Sequence, residues 1–478
     1  MSSNGPIVQD FERLVRRDPT APLVVTPERR ATVGDIDALA RIAGGLLAAR
    51  RLAPGTLVGL AAANGPGFLA SFLALLRAGL TALLLDAQTP EIEALRILAA
   101  LGAPLFLRAS GWPDGPAGWT LSAAPAEDRT SPRSTLFPAL PPGTAVVKLT
   151  SGSTGAPRGI ATPAEALLAD DAALTASMGL RPGERLLTTI PLSHSYGLSS
   201  LAVPALARGA VLALPEESGV YDPFVTAART GAAFFPTVPA YLDALVRMSD
   251  PPPRPDCLRL VITAGAPLSA ATSARFRERF GLPVHVFYGS SECGGICYDR
   301  EGGAAERGTV GSPVEGVRIE LDGDEGEGGV VTVESPAVAL GYLPDPDERL
   351  AGGRFRAGDF AVWRDGELAL QGRMDDLVNI KGKKVNPREV EAVLADLPGV
   401  DEVAVLGVPV PGRSVEMLRA VVACRPGRLT AAEVMDWCRG RLSAHKVPRS
   451  VLLTEALPRT PRGKLDRAAL RLLGTGRD

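Results

Sequence analysis

The first third of the chain alternates two hydrophobic patterns. Between residues 31 and 110, the segments ALARIAGGLLAARR and PGFLASFLALLRAG place apolar residues at helical spacing, and they alternate with the short apolar runs LVGLAA, TALLL and PLFL. A fully apolar run bounded by turn residues is typical of a parallel strand that is buried on both faces. The pattern therefore predicts βαβ units, which build a mostly parallel sheet with helices on both faces.

The most apolar stretch, residues 67–85, is long enough to span a bilayer and has Arg77 as its one charged residue. Gly79 divides it into a segment of helical spacing and an apolar run that ends at Asp86. This division predicts a buried helix followed by a buried strand, and no membrane span. The five scattered cysteines fit a reducing compartment, and the N-terminus resembles no signal peptide, so we expect a cytoplasmic protein.

The pattern changes in the second half of the chain. Residues 111–143 are rich in Pro, Gly and Ser and predict a long irregular connection. Between 305 and 370, short strand patterns separated by Gly and Asp predict a small antiparallel element. Beyond Arg373 the pattern is that of a compact α+β module, in which Thr430 and Glu433 form a capping box ahead of a helix that reaches Leu442.

Charge supports the same division. Residues 376–478 carry 18 Lys and Arg against 12 Asp and Glu, whereas the remainder has a net charge of −8. We therefore predict an N-terminal domain over residues 1–374 and a C-terminal domain over 375–478. The whole chain of 478 residues is nearly neutral at −2, with 46% apolar and 22% charged residues, which argues against a disordered or nucleic-acid-binding protein.

The segment AVVKLTSGSTGAPRG, residues 145–159, is the most informative for chemistry. It is an apolar strand that runs into a loop of hydroxyls and glycines, where backbone N–H groups can approach a polyanion such as a triphosphate. The Walker pattern is absent from the chain.

Further motifs follow in order: PLSHSYGL (191–198), TAGAPLS (263–269), YGSSE (288–292), RAGDF (356–360), GRMDDLVNIKGKKVNPREVE (372–391) and PRTPRGKLDR (458–467). Together with TSGSTGAPRG they resemble the motif series of the acyl-adenylate-forming superfamily, and most closely that of the acyl- or aryl-CoA ligases. The resemblance covers residues 20–471. It implies an ATP-dependent carboxylic acid–CoA ligase with a large N-terminal domain of layered, mostly parallel sheets and a small mobile C-terminal domain.

The resemblance implies a nucleotide site built from several motifs. The β- and γ-phosphates of ATP would be held by Thr150, Ser151, Gly152, Ser153, Thr154, Gly155 and Arg158. Adenine would lie between Tyr288 and the turn of Gly265, Ala266 and Pro267, with Gly289 beside it. Ser291 would contact the α-phosphate, Asp359 the ribose hydroxyls, Arg373 ribose and phosphate, and Glu292 would bind Mg²⁺.

Catalysis would depend on the C-terminal motifs. Lys464 would bridge the substrate carboxylate and the α-phosphate, and it is one of only six lysines among 51 basic residues. After rotation about the hinge Asp375, the loop of Lys381 and Gly382 would replace it and line the path of the pantetheine arm of coenzyme A. The N-terminal domain would supply His194 at the acyl pocket, together with Thr237, Val238, Phe287, Gly294 and Gly295.

Two positions depart from the family pattern. Arg158 stands where the phosphate loop usually has lysine, which is either a simple exchange or a loss of ATP handling. Ser195 stands where amino-acid-activating relatives have aspartate, which argues against an α-amino acid substrate. Glycines in the predicted pocket indicate space for a bulky or ring-containing acid.

Several alternatives stay open from the sequence. The acyl acceptor is either coenzyme A or the phosphopantetheine of a carrier protein. With adenylation lost, the protein would be a thioesterifying half-enzyme that uses acyl adenylate made elsewhere. A serine hydrolase using Ser153 or Ser290 with His194 is disfavoured because no G-x-S-x-G segment is present. A non-catalytic binding protein is disfavoured because Lys464, Glu292 and Asp359 are all intact.

Overall fold

The computed structural model describes residues 5–124, 140–150, 158–216, 219–323, 328–373, 378–380, 383–385, 387–409, 416–459 and 465–473. The chain divides into two compact units. The first comprises Met1–Glu320, Thr332–Arg356 and Arg364–Leu368, and the second comprises Leu321–Val331, Ala357–Trp363 and Ala369–Asp478.

The helices are α1 (Pro6–Arg17), α2 (Val33–Ala48), α3 (Pro66–Arg77), α4 (Glu91–Leu101), α5 (Ala164–Met178), α6 (Ser195–Gly197), α7 (Val203–Arg208), α8 (Asp222–Thr230), α9 (Pro239–Arg247), α10 (Ala270–Phe280), α11 (Ala304–Arg307), α12 (Pro387–Ala395), α13 (Ala431–Arg439) and α14 (Arg467–Leu472). A 3₁₀ turn covers Pro116–Gly118, and a π-helical turn covers Leu198–Ala202.

The strands are β1 (Pro22–Val25), β2 (Arg30–Thr32), β3 (Leu57–Ala62), β4 (Thr81–Leu85), β5 (Leu105–Ala109), β6 (Trp119–Ala123), β7 (Thr144–Thr150), β8 (Arg158–Pro163), β9 (Arg185–Leu187), β10 (Val211–Ala213), β11 (Phe234–Thr237), β12 (Leu260–Thr263), β13 (Val284–Ser290), β14 (Gly294–Tyr298), β15 (Ser312–Pro313), β16 (Arg318–Asp322), β17 (Gly329–Glu334), β18 (Gly341–Leu343), β19 (Leu350–Ala351), β20 (Arg354–Arg364), β21 (Glu367–Arg373), β22 (Val378–Ile380), β23 (Lys383–Val385), β24 (Glu402–Pro409), β25 (Glu416–Ala423) and β26 (Ser450–Thr454).

Two large sheets form the first unit. One has nine strands in the order β15-β14-β13-β12-β11-β9-β10-β1-β2, and its pairs from β13 through β1 are parallel. The other has seven strands in the order β18-β8-β7-β4-β3-β5-β6, with a parallel centre of β7, β4, β3 and β5. Antiparallel strands close the edges of both sheets.

A shared hydrophobic core joins these sheets. It contains apolar residues of β1, β9, β11 and β12 from one sheet and of β3, β4, β5 and β7 from the other, with α1, α2, α3, α5 and α7 between them. The buried face of α1 shows the cause, because Ile7, Phe11 and Leu14 recur at helical spacing and are all buried. The predicted α/β class with a large layered N-terminal part is confirmed.

The apolar stretch 67–85 is confirmed as a buried helix and strand. Residues 66–75 of α3 are all buried, and β4 pairs with parallel neighbours on both sides. Gly79 between them has a φ of +66°, a left-handed conformation that glycine adopts without strain. No helix among the described residues has both the length and the apolarity needed to cross a membrane.

The second unit contains a three-stranded sheet, β24-β25-β26, and the hairpin of β22 and β23. Its core includes Val390 and Leu394 of α12 and Val434 of α13. The predicted capping box is confirmed, since Thr430 accepts from the amide of Glu433, whose carboxylate accepts from the amide of Thr430. A five-stranded sheet has the order β16-β17-β20-β19 with β21 paired to β20, as the strand patterns between 305 and 370 predict.

Two boundaries differ from the predictions. Helix α13 ends at Arg439 and not at Leu442, because the chain turns at Gly440, which is a poor helix former. The segment 111–143 is not wholly irregular, since β6 pairs antiparallel with β5. The polar residues of β6 point to the exposed side of an edge strand, and this pattern carries little hydrophobic signal.

Candidate active site

The carboxyl ends of the parallel strands meet at a cavity of ≈ 500 Å³ in the first unit. Residues that follow β3 and β4 line it together with residues that follow β9 and β10, in the position where α/β sheets bind ligands. Asn64, after β3, joins the two sheets: its amide donates to the carbonyl of Ile190 at 3.0 Å and its oxygen accepts from the amide of Leu192 at 2.9 Å. The loop that leads to His194 is thereby held in place.

His194 and Ser195 lie at the start of α6, where each contacts another strand end. Nε2 of His194 is 3.0 Å from Oδ2 of Asp86, the residue that follows β4. The hydroxyl of Ser195 is 2.7 Å from that of Ser291 at the end of β13. The structure therefore brings together three motifs that are far apart in the sequence.

The predicted adenine-binding residues belong to two neighbouring strands: the Gly265 turn follows β12, and Tyr288 lies within β13. Thr263 of β12 is paired with Val286 of β13, so Gly265 and Tyr288 each lie two residues beyond the same register position. Gly265 has a φ of +84°, and no atom lies within 4 Å of the position that a Cβ would occupy. Ala266 and Pro267 are exposed. The turn therefore presents open backbone next to Tyr288, which leaves room for a flat ring.

The side chain of Tyr342 lies between Glu292 and Arg158 and contacts both. The hydroxyl of Tyr342 donates to Oε1 of Glu292 at 2.9 Å, and the guanidinium carbon of Arg158 is 4.0 Å from the centre of the Tyr342 ring. Burial, and then the neighbouring Glu292, raise the pKa of Tyr342 above its usual value, so the phenol stays protonated and donates. Arg158 also pairs with Asp347 at 3.3 Å.

Two charged side chains are buried behind this group. Lys148 of β7 is 3% exposed and Asp170 of α5 is 4% exposed. Burial lowers the pKa of Lys148 and raises that of Asp170, while their mutual attraction opposes both shifts. Asp170 accepts the amide of Gly295 at 2.9 Å. Burial also raises the pKa of the Cys293 thiol to about 12, which keeps it protonated and unreactive.

One predicted acyl-pocket residue, Phe287, packs against the ring of Tyr196. Phe287 and Tyr196 have ring centres 5.8 Å apart. Thr237 is buried, whereas Val238 is 37% exposed. The space expected from the glycines is not found: a Cβ at Gly294 would overlap the Asp170 carboxylate, and a Cβ at Gly295 would lie 2.8 Å from Leu174. These glycines accommodate protein side chains, so they are no evidence of room for a bulky acid.

Two of the predicted nucleotide residues belong to the second unit. Asp359 of β20 and Arg373 of β21 lie on neighbouring strands, with an Oδ1 to Nε distance of 4.0 Å. A side chain at Gly358 would contact the Arg373 guanidinium, 3.1 Å from its Cβ. The pair therefore presents a carboxylate and a guanidinium side by side.

Other predicted residues lie outside the described residues: Ser151, Gly152, Ser153, Thr154, Gly155, Asp375, Lys381, Gly382 and Lys464. Thr150 and Arg158 are the last pair of the hairpin that flanks the first five. Ser290, a nucleophile in the hydrolase alternative, has its hydroxyl 3.3 Å from Sγ of Cys293 and 3.2 Å from the amide of Glu292.

The chain matches two protein-family models, and these matches identify its family. The model described as "AMP-binding enzyme" matches residues 11–343, and "AMP-binding enzyme C-terminal domain" matches residues 389–464. The chain belongs to the AMP-binding enzyme family. It is therefore an enzyme of the superfamily that the motifs indicate.

Curated relatives in the AMP-binding family extend over most of the chain. A feruloyl-CoA synthase from an Amycolatopsis species is 31% identical over 474 residues, which cover 91% of each chain. A long-chain-fatty-acid–CoA ligase from Mycobacterium tuberculosis is 27% identical over 474 residues, 92% of this chain and 93% of the relative. The chain is thus similar to CoA ligases named for quite different acids.

Solved structures show the same fold. The o-succinylbenzoate CoA synthetase from Bacillus subtilis, in complex with its acyl-adenylate intermediate, has a TM-score of 0.80 at 22% identity and 98% coverage of both chains. An amide bond synthetase from Marinactinospora thermotolerans has a TM-score of 0.79 at 26% identity, covering 98% of this chain and 99% of the other.

Sequence reasoning missed four residues of this AMP-binding enzyme: Asp86, Asp170, Tyr342 and Asp347. Asp170 carried a weak signal, because a carboxylate in an otherwise apolar helical pattern needs a partner. Lys148 carried a stronger one, because lysine is rare in this chain and this lysine interrupts an apolar strand. Tyr342 and Asp347 carried none, because Arg158, which contacts both, precedes them by more than 180 residues.

Gly294→Ala tests the packing of Asp170 against β14. We expect it to lower the free energy of unfolding by about 1 to 3 kcal/mol more than Gly316→Ala, because only the first Cβ overlaps another side chain. The two glycines have nearly equal φ angles of +71° and +73°, and nothing lies within 4 Å of the Gly316 position. Urea unfolding of both variants measures the difference. Equal losses would mean that backbone strain, and not crowding, explains Gly294.

Proposed function

We propose that this enzyme is an ATP-dependent carboxylic acid–CoA ligase that works in two half-reactions. The observation that carries the proposal is the convergence of Ser291, Glu292 and Arg158 at the foot of the predicted phosphate loop. The similarity to named CoA ligases over nine-tenths of the chain supports the acceptor. In this proposal the substrates are ATP, a small-molecule carboxylic acid and coenzyme A.

The first half-reaction requires two anions to meet. A carboxylate oxygen attacks the α-phosphorus of ATP, a new P–O bond forms, and the bond to pyrophosphate breaks to leave an acyl adenylate. Donors and cations must lie where negative charge accumulates. The hydroxyls of Thr150 and Ser291 and the guanidinium of Arg158 serve this role in the first unit, and Lys464 adds the charge that bridges both reactants.

Glu292 fits a Mg²⁺ ion that accompanies the triphosphate. Magnesium prefers carboxylate oxygens and usually keeps several waters, so one or two protein carboxylates are enough. The Tyr342 hydroxyl occupies only one side of the Glu292 carboxylate, at Oε1, and the side chain is partly exposed. The ion would neutralise charge on the phosphate oxygens when bound.

Asp359 and Arg373 suit the ribose. One carboxylate can accept hydrogen bonds from two neighbouring hydroxyls, and the guanidinium of Arg373 lies beside it at 4.0 Å. Tyr288 and the open Gly265 turn suit the adenine ring.

The second half-reaction joins the acyl group to a thiol. The thiol releases its proton to solvent, its sulfur attacks the acyl carbonyl to form the thioester C–S bond, and the bond to AMP breaks so that AMP leaves with the bonding electrons. We propose that the C-terminal domain turns about Asp375 between the steps, so that Lys381 and Gly382 replace Lys464. The family models match residues on either side of this hinge, and the domain boundary at 375 stays a prediction.

Residues of the first unit restrict which carboxylic acids the enzyme can use as substrates. Ser195 leaves no carboxylate for a substrate ammonium group, so we propose a carboxylic acid other than an α-amino acid. We propose that Phe287, Tyr196 and Val238 present apolar surface to its tail; the rings of Phe287 and Tyr196 pack together, and Val238 is exposed. We propose that His194, whose Nε2 is 3.0 Å from Oδ2 of Asp86, faces the acyl group.

ATP–pyrophosphate exchange with a panel of acids tests the proposal, alongside thioester formation from presynthesised acyl adenylates. Activity in both assays with CoA supports a two-step ligase. Thioester formation alone would identify the half-enzyme, and transfer only to a holo-carrier protein would identify the carrier-protein alternative. Silence in both assays would overturn the proposed function.

Lys464→Ala tests the separation of the half-reactions. We expect it to slow adenylation by roughly 10² to 10³, the effect of losing one preorganised charge, and to leave thioester formation from supplied adenylate largely intact. Lys446→Ala is the control, because Lys446 is another C-terminal lysine and pairs with Glu389. Equal losses in both half-reactions would contradict the proposed domain rotation.

Gly382→Leu tests the path of the thiol. We expect this variant to form acyl adenylate at the normal rate and to make little thioester, because a branched side chain would block the thin pantetheine arm. Gly382→Ala, with a single added methyl group, should fall between the two. Thioester formation by Gly382→Leu at the wild-type rate would show that the arm takes another path.

A further inference from the structure

Arg158 and Tyr342 share one face of the seven-stranded sheet. Strand β18 pairs antiparallel with β8, and Tyr342 lies opposite Ile160. Arg158 is two residues before Ile160, so its side chain points to the same face and is the diagonal neighbour of Tyr342. The register thus explains why the guanidinium carbon lies 4.0 Å from the centre of the ring.

Asp347 holds Arg158 over the ring. Its Oδ2 is 3.3 Å from Nη2 of Arg158. The same carboxylate accepts the backbone amide of Arg349 at 3.0 Å and its guanidinium at 2.7 Å. Because Asp347 is itself fixed by Arg349, it restrains Arg158 from one side while the Tyr342 ring restrains it from the other.

Tyr342 transmits this restraint to Glu292. The tyrosine is 7% exposed, and its hydroxyl donates to Oε1 of Glu292 at 2.9 Å. The ring position fixes the hydroxyl position, because a tyrosine side chain has only two rotatable bonds before its rigid ring. A planar guanidinium can stack on the ring and pair with a carboxylate at the same time, whereas an ammonium group cannot make the same flat contact.

We propose that Arg158 is a positioning residue that acts through Tyr342 to orient the Glu292 carboxylate for a divalent cation. The inference rests on the proposed function for the role of Glu292, and it gives a reason for arginine at a position where the family usually has lysine. Arg158 is then neither a neutral exchange nor a sign of lost adenylation. Its remaining N–H groups stay available to phosphate oxygens.

Metal binding tests this chain of contacts without any turnover. Mn²⁺ is titrated into the full-length enzyme with a saturating ATP analogue whose α,β-bridge is methylene, and free Mn²⁺ is followed by electron paramagnetic resonance. Affinity for the same analogue is measured in EDTA. Tyr342→Phe keeps the ring and removes the hydroxyl, so we expect about tenfold weaker Mn²⁺ binding, as for a lost hydrogen bond to a charged group, and unchanged affinity in EDTA.

Arg158→Lys should weaken Mn²⁺ binding in the same direction, because the charge remains and the flat contact is lost. The double variant Arg158→Lys, Tyr342→Phe should be no weaker than Tyr342→Phe alone, since the connection to Glu292 is already cut. Arg41→Lys is the matched control, as Arg41 is 74% exposed and pairs with Asp37 elsewhere in the first unit. Thermal unfolding of each variant reports its folding.

Any of these results in the variants would overturn the proposal: Mn²⁺ affinity unchanged in Tyr342→Phe, additive losses in the double variant, or an Arg158→Lys effect confined to nucleotide affinity in EDTA. The last result would identify a direct phosphate contact and nothing more. Absence of Mn²⁺ binding to the wild-type complex would also overturn it. Failure of the proposed function is separate, because it appears as silence in exchange and thioester assays and not in the metal titration.

Discussion

One short segment, residues 339–343, holds the two large sheets together at the site. The amide of Ala339 donates to the carbonyl of Glu292, and the amide of Leu340 donates to the carbonyl of Ala161, each at 2.8 Å. Glu292 follows a strand of the nine-stranded sheet, and Ala161 belongs to the seven-stranded sheet. Since consecutive amides bond to different sheets, the distance between Glu292 and the foot of the phosphate loop is set by backbone contacts.

Two charged side chains, Lys148 and Asp170, are buried near the same junction. Taking Lys148 and Asp170 out of water costs free energy, and their attraction offsets this only when the remaining polar atoms are satisfied. Asp170 meets that condition in part by accepting the amide of Gly295, which ties α5 to the start of β14. The strand that follows Glu292 is therefore anchored by a carboxylate, and a glycine at position 294 is the residue that lets this carboxylate approach.

The sequence predicts the helices and strands well, but it predicts the contacts between distant segments poorly. Buried segments such as residues 67–85 are recognisable in the sequence, because burial on all sides leaves a continuous apolar pattern. Tyr342 gave no such signal, since its role comes from the register between β18 and β8, which are separated by about 180 residues of chain. The prediction of substrate space at Gly294 and Gly295 was wrong for a related reason. The sequence shows that these positions have no side chain, but only the packing shows that other protein side chains fill the space.

Arg158 shows what a motif match establishes about a residue and what it leaves open. A motif assigns a residue by its position in the loop, and on that basis a departure from lysine is either harmless or damaging. The packing gives information that the position in the motif does not, because the Arg158 guanidinium contacts both the Tyr342 ring and the Asp347 carboxylate. Both partners lie in one later segment, between residues 341 and 349. Arginine and this segment therefore form a single unit, and the residue at 158 should be judged with Tyr342 and Asp347 and not with the loop alone.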